Sequence, residues 1–60
     1  MSKDNPLEIA EHLVLANDLK GAIQAANDGI AKSHQNGDNY ILSVWREVRR
    51  KLIEMETKAG

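Results

Sequence analysis

Ile9, Ala16, Ile23 and Ile30 stand seven residues apart, and Leu19 and Ala26 fall between them at the intervening positions of the same heptad. Seven residues are close to two turns of an α-helix, so these side chains draw one apolar seam along a helix face. No strand-like alternation of apolar and polar residues occurs elsewhere in the sixty-residue chain. The expected fold class is therefore all-α. His12 and Ser33 interrupt the seam, which suits a histidine held by hydrogen bonds. Leu13 and Leu15 widen it near its start.

The beginning of this helix is marked by "NPLE". Asn5 is placed to accept from the Glu8 amide, Pro6 fits the first helical position, and Glu8 can close a capping box. Two features weaken the helix further along. Gly21 costs about 1 kcal/mol relative to alanine inside a helix, and Asn27-Asp28-Gly29 is a stronger breaker cluster. Because the seam passes through both, the spacing predicts one long helix over about 6–33. A break near Asn17 gives three helices instead.

"SHQNGDN" reads as a loop over about 34–38, with Asn36-Gly37 tolerating positive φ and Asp38 or Asn39 capping the next helix. That helix is expected over about 39–58, with its apolar stripe at Ile41, Val44, Trp45, Val48, Leu52 and Met55. In a two-helix hairpin the first helix would be about 42 Å long and the second about 29 Å. The overhang would expose Leu7, Ile9, Leu13 and Val14. The sequence thus favours a hairpin dimerising into a four-helix bundle, and the alternative is a three-helix bundle. Ile9, Leu13, Ala16, Leu19, Ile23 and Ile30 would share the core and dimer interface with the second-helix stripe.

The stretch "VWREVRRKL" carries four cations on the second helix. Lys51 follows Glu47 by four residues, and Arg50 lies between Glu47 and Glu54 at helical spacing, so both have local acids. Arg46 and Arg49 have no acid three or four residues away on this helix. They lie between Leu42 and Ile53 on a flank that widens the apolar arc beyond what one neighbouring helix covers. Leu42, Arg46, Arg49 and Ile53 are the expected partner-binding residues.

Composition limits what that partner can be. Eight basic and nine acidic residues give a formal charge of −1, whereas duplex binders draw affinity from a strongly basic surface. An RNA- or DNA-binding hairpin dimer using the arginine face is the runner-up. A helix-turn-helix laid over "AANDGIAKSHQNGDNYI" fails, because Gln35 and Asp38 occupy positions that should be apolar. The absence of cysteine excludes disulfides and thiolate metal sites.

His12 beside Glu8 lacks further ligands, and His34 falls at the loop, so no metal or other cofactor is expected. Ser2, Ser33 and Ser43 have no arranged base, and there is no glycine-rich phosphate loop, which argues against an enzyme. No apolar run approaches the ~20 residues that span a bilayer, and "MSKDNPLE" lacks a signal-peptide core, so the expected setting is cytoplasmic and away from membranes. The ends "MSKDNP" and "ETKAG" read as free termini rather than cuts from a larger assembly.

The remaining resource of the chain is its surface. The sequence predicts a single helical domain, 1–60, acting as a small regulator, adaptor or inhibitor of another protein. Its size suits a phage- or plasmid-type modulator of a host protein.

Overall fold

The computed structural model describes residues 5–59, and among these every regular element is helical. Three helices pack together: α1 (Pro6–Ala16), α2 (Leu19–Asn36) and α3 (Asn39–Ala59). The three-helix alternative is the arrangement observed, and the single long helix over 6–33 is not.

The break falls at Asn17-Asp18, ahead of both weak points in the long pattern. Asn17 (φ −137°, ψ 176°) and Asp18 (φ −77°, ψ 174°) are both extended. The Asp18 side chain satisfies a backbone amide that a continuous helix would have paired, and the Asn17 side chain adds a bond to a Leu13 carbonyl that already accepts the Asn17 amide. Asn17 Nδ2 donates to the Leu13 carbonyl at 3.1 Å, and the Gly21 amide donates to Asp18 Oδ1 at 2.7 Å. Short polar side chains offer the backbone this alternative to the helical ladder. At the chain start, Asn5 Oδ1 accepts from the amides of Leu7 (3.0 Å) and Glu8 (3.4 Å), beside Pro6 at the helix start.

The second boundary is tighter than the expected loop over 34–38. His34, Gln35 and Asn36 form the last turn of α2, and only Gly37 and Asp38 connect it to α3. Gly37 adopts the left-handed conformation (φ 69°, ψ 22°). Its amide donates to the His34 carbonyl (3.2 Å) and the Asp38 amide to the Ser33 carbonyl (3.0 Å). This pair of bonds is the Schellman motif, which satisfies the last carbonyls of a helix. Asp38 then accepts from the Ile41 amide at 3.1 Å and starts α3.

The core is built from small residues on two helices and larger ones on the third. Ala10 of α1, Ala22 and Ala26 of α2, and Val48 and Leu52 of α3 are fully buried. Ile9, Leu13, Val14, Leu19, Ile23, Val44, Trp45 and Met55 pack half-buried around them. Alanine at these positions of α1 and α2 leaves room for the larger side chains of α3, and Val48 and Leu52 fill it. Each fully buried aliphatic of that size contributes roughly 1.5–3 kcal/mol.

The seam drawn through the isoleucines is thus rotated from the true axis of burial. Ile9, Ile23 and Ile30 lie half-buried, whereas Ala16 is exposed at the end of α1 and His12 is exposed rather than held in a seam. Ser33 is buried and its hydroxyl donates to the Gly29 carbonyl at 2.7 Å. Folding α1 back also removes the overhang: Ile9, Leu13 and Val14 pack against the core of the same chain. The coverage that a two-helix hairpin would need from a second subunit is supplied by α1 itself.

Candidate functional site

α3 is the longest helix and contributes the two largest fully buried side chains, so its orientation is fixed by Val48 and Leu52. At about 100° per residue, Met55 and Ile53 lie about 160° apart on the helix. Met55 faces α1, where it lines an open groove with Glu11, Val14 and Leu15. Ile53 therefore lies on the side of α3 away from α1, and is 38% exposed. Arg46 and Arg49 are exposed, and Leu42 is half-buried. The structure gathers the four expected contact residues on one flank of α3.

The charges sort as the sequence spacing suggests, with one exchange of partners. Arg50 donates to Glu47 Oε2 at 3.1 Å. Lys51 reaches forward to Glu54 at 3.9 Å rather than back to Glu47. Glu47 is already held by Arg50, and the Lys51–Glu54 separation is one helical turn. Both pairs are largely exposed and contribute only about 0–1 kcal/mol each. Arg46 and Arg49 have no ion pair or side-chain hydrogen bond with any described residue. Two guanidinium groups thus stand beside two aliphatic side chains with their donors open to solvent.

A second exposed strip is one that sequence spacing does not single out. On α1, Leu15 is 85% exposed and Leu7 46% exposed. Glu11 is exposed between them and Glu8 is half-buried. Spacing alone makes Leu15 a flank of the core seam. With α1 ending at Ala16, the helix packs with Ala10 inward and Leu15 outward. The signal for this lies in Ala10, whose small size marks a close helix contact.

Other chemistry-bearing residues do not converge. No group of three or more histidine, cysteine, aspartate or glutamate side chains that could hold a metal occurs among the described residues. His12 and His34 are both exposed. The hydroxyl of Ser43 donates to the Asn39 carbonyl at 3.1 Å, and Ser33 is tied to Gly29, so both serve the backbone. Ser2 lies outside the described residues. No described helix is long and apolar enough to cross a membrane. The arrangement offers, chemically, a pair of amphipathic helix faces, one cationic and one acidic. Comparisons of the chain with protein-family models, curated proteins and solved structures find no match.

Proposed function

We propose that this chain is a small protein–protein interaction module, acting inside the cell as a regulator, adaptor or inhibitor of another protein, and that the α3 flank is its contact surface. One observation carries the reading: Arg46 and Arg49 stand exposed without ion-pair partners among the described residues, between exposed Ile53 and half-buried Leu42 on one flank of α3. Arginine beside aliphatic anchors is a composition enriched at protein contacts, where truncating a central residue costs about 2 kcal/mol or more. The complementary partner surface is apolar with carboxylates at its edge.

Unpaired arginines also suit phosphates, which keeps nucleic acid as the rival reading. Two features weigh against it. Trp45, the aromatic nearest these arginines in sequence, packs against the core and Gly29 rather than standing clear for a base. The formal charge of −1 supplies little long-range attraction.

The test is differential capture from cells that express the protein naturally, using wild type, the double variant Arg46→Ala/Arg49→Ala, and Arg50→Ala. A specific protein retained by wild type and Arg50→Ala but lost by the double variant supports the reading. Equal recovery on all three baits removes the α3 flank from the interface. A parallel titration with mixed-sequence duplex DNA and RNA at low salt separates the rival, because phosphate-driven binding falls steeply as salt rises.

A further inference from the structure

The α3 flank and the α1 strip are complements of one another. On α3 the order is aliphatic, cation, cation, aliphatic: Leu42, Arg46, Arg49, Ile53. On α1 it is aliphatic, two acids, aliphatic: Leu7, then Glu8 and Glu11, then Leu15. Both patterns occupy about a third of a helix circumference or less, at about 100° per residue. Neither acid of α1 forms an ion pair with a described residue, and neither arginine does. The two surfaces therefore leave equal numbers of opposite charges unsatisfied, each set bracketed by exposed or half-buried aliphatics.

They cannot meet within one chain. α1 packs on the Met55 side of α3, and Ile53 lies about 160° round from Met55. Beside the α1 strip lies the groove between α1 and α3, with Val14, Leu15 and Met55 as its apolar walls and Glu11 at its rim. That is a seat for an aliphatic side chain flanked by arginine, and Ile53 is such a side chain.

We propose that the α1 strip of one copy docks on the α3 flank of a second copy, Ile53 entering the Glu11–Val14–Leu15–Met55 groove and Arg46 and Arg49 pairing with Glu8 and Glu11. The contact joins unlike faces, so each added copy leaves one α1 strip and one α3 flank free. Such heterologous contacts build chains or rings rather than ending at a symmetric pair. A helix strip against a helix strip buries less than the roughly 1,200 Å² of a stable complex, so the association is weak and concentration-dependent. It rests on the reading of the α3 flank as a contact surface, and it makes that surface self-occluding: a partner must displace a neighbouring copy.

The experiment is sedimentation of the full chain from about 10 µM to about 1 mM, a range that spans weak association. It is run at about 20 mM and about 300 mM salt, which bracket weak and strong screening. Wild type is expected to gain mass with concentration at low salt and to lose most of that gain at high salt. Arg46→Glu/Arg49→Glu and Glu8→Lys/Glu11→Lys are each expected to stay monomeric alone, and a mixture of the two to associate again. Circular dichroism confirms that each remains helical. Should Glu8→Lys/Glu11→Lys lose helicity, Glu11→Lys alone, outside the first turn, is expected to reduce association at least threefold.

Monomeric wild type at the highest concentration and low salt overturns self-docking while leaving the partner-capture result to stand or fall separately. Undiminished association of the arginine variant, or no recovery on mixing, overturns it as well.

Discussion

Gly29 of α2 lies directly beneath the indole of Trp45 in α3, so close that a Cβ on the glycine would overlap Cδ2 and Cε2 of the ring and lie 2.9 Å from Cε3. The residue that weakens α2 as a local helix former is thus the one that lets α3 approach it. By helix propensity alone, Gly29→Ala would gain about 1 kcal/mol. The overlap with a packed ring outweighs that gain, since overfilling a fitted contact costs about 1–3 kcal/mol. Gly29→Ala is therefore expected to lower the melting temperature, by several degrees for a net loss near 1 kcal/mol in a domain this small. Asn27→Ala, two residues away and exposed, should hold or slightly raise it.

The coupling itself can be measured. Replacing Trp45 by leucine removes the ring, and in that background Gly29→Ala should become neutral or stabilising. A double-mutant cycle reads the difference, and contacting residues commonly show about 0.5–3 kcal/mol of coupling. Additivity of the two changes would mean that the ring and the glycine do not meet. Trp45→Ala goes further and is expected to lower the melting temperature more than Gly29→Ala does, because it removes a large half-buried aromatic packed on a core that supplies only about 3–5 kcal/mol.

Gly37 isolates a backbone effect from packing. Nothing lies within 4 Å of where its Cβ would be, so a side chain there meets no neighbour. Its left-handed φ of 69° remains unfavourable for any residue with a Cβ, by about 1 kcal/mol or somewhat more for alanine. Gly37→Ala should destabilise by that amount and Gly37→Asn by less, because asparagine visits the left-handed region more readily. Chemical denaturation of the three proteins gives the order Gly, Asn, Ala. Equal stability of all three would mean that the α2–α3 junction is not held in this conformation.

Arg46 and Arg49 should be separable from folding altogether. Both are exposed and unpaired among the described residues, and substitutions at such positions usually change stability by no more than about 0.5 kcal/mol. The double change to alanine should leave the unfolding midpoint close to that of wild type, while a partner held through two hot-spot arginines should lose at least about tenfold in affinity, or about 1.4 kcal/mol. Ile53→Ala tests the same surface from its apolar side. At 38% exposure it should cost less stability than Leu52→Ala, whose side chain is fully buried, yet weaken the contact comparably.

Much of this surface is legible in sequence because α3 obeys local rules. Its stripe has regular three- and four-residue spacing, its cap is an aspartate, and Arg50 and Lys51 pair with acids one turn away. α1 and α2 are harder because two signals compete. The heptad through Ile9, Ala16, Ile23 and Ile30 argues for continuity, and the strongest apparent breaker, Asn27-Asp28-Gly29, lies inside α2 where Trp45 and α3 stabilise it. The same opening "AND" occurs at 16–18 and at 26–28, but only the first interrupts a helix. There, Asp18 has Gly21 three residues on, whose amide it accepts without a side chain crowding the carboxylate. At 26–28 Ala26 is buried, so tertiary contact overrides the local preference. The exposed α1 strip depends on that break and is hidden for the same reason.

The junction also carries the architecture that the long apolar seam implies. Asn17 and Asp18 are both extended; Asn17 Nδ2 adds a second bond to the Leu13 carbonyl that already accepts the Asn17 amide, and Asp18 takes the Gly21 amide that a straight helix would give to the Asn17 carbonyl. Asp18→Ala alone removes one cap and should cost about 1 kcal/mol without changing the oligomeric state. Asn17→Ala/Asp18→Ala removes both competitors and installs two strong helix formers between α1 and α2. A helix that then runs straight through carries Ile9, Leu13 and Val14 away from α3, where the same chain can no longer cover them. A second copy can, by exchange of the α1 segment between two chains. The double variant is therefore expected to be a dimer at tens of micromolar by sedimentation, with helicity equal to or above wild type and a slow return to monomer on dilution. A fully helical monomer would show that packing of α1 on α3 enforces the bend even without its local bonds. In that case the side chains of Leu13, Val14 and Met55, rather than Asn17 and Asp18, decide where the chain turns.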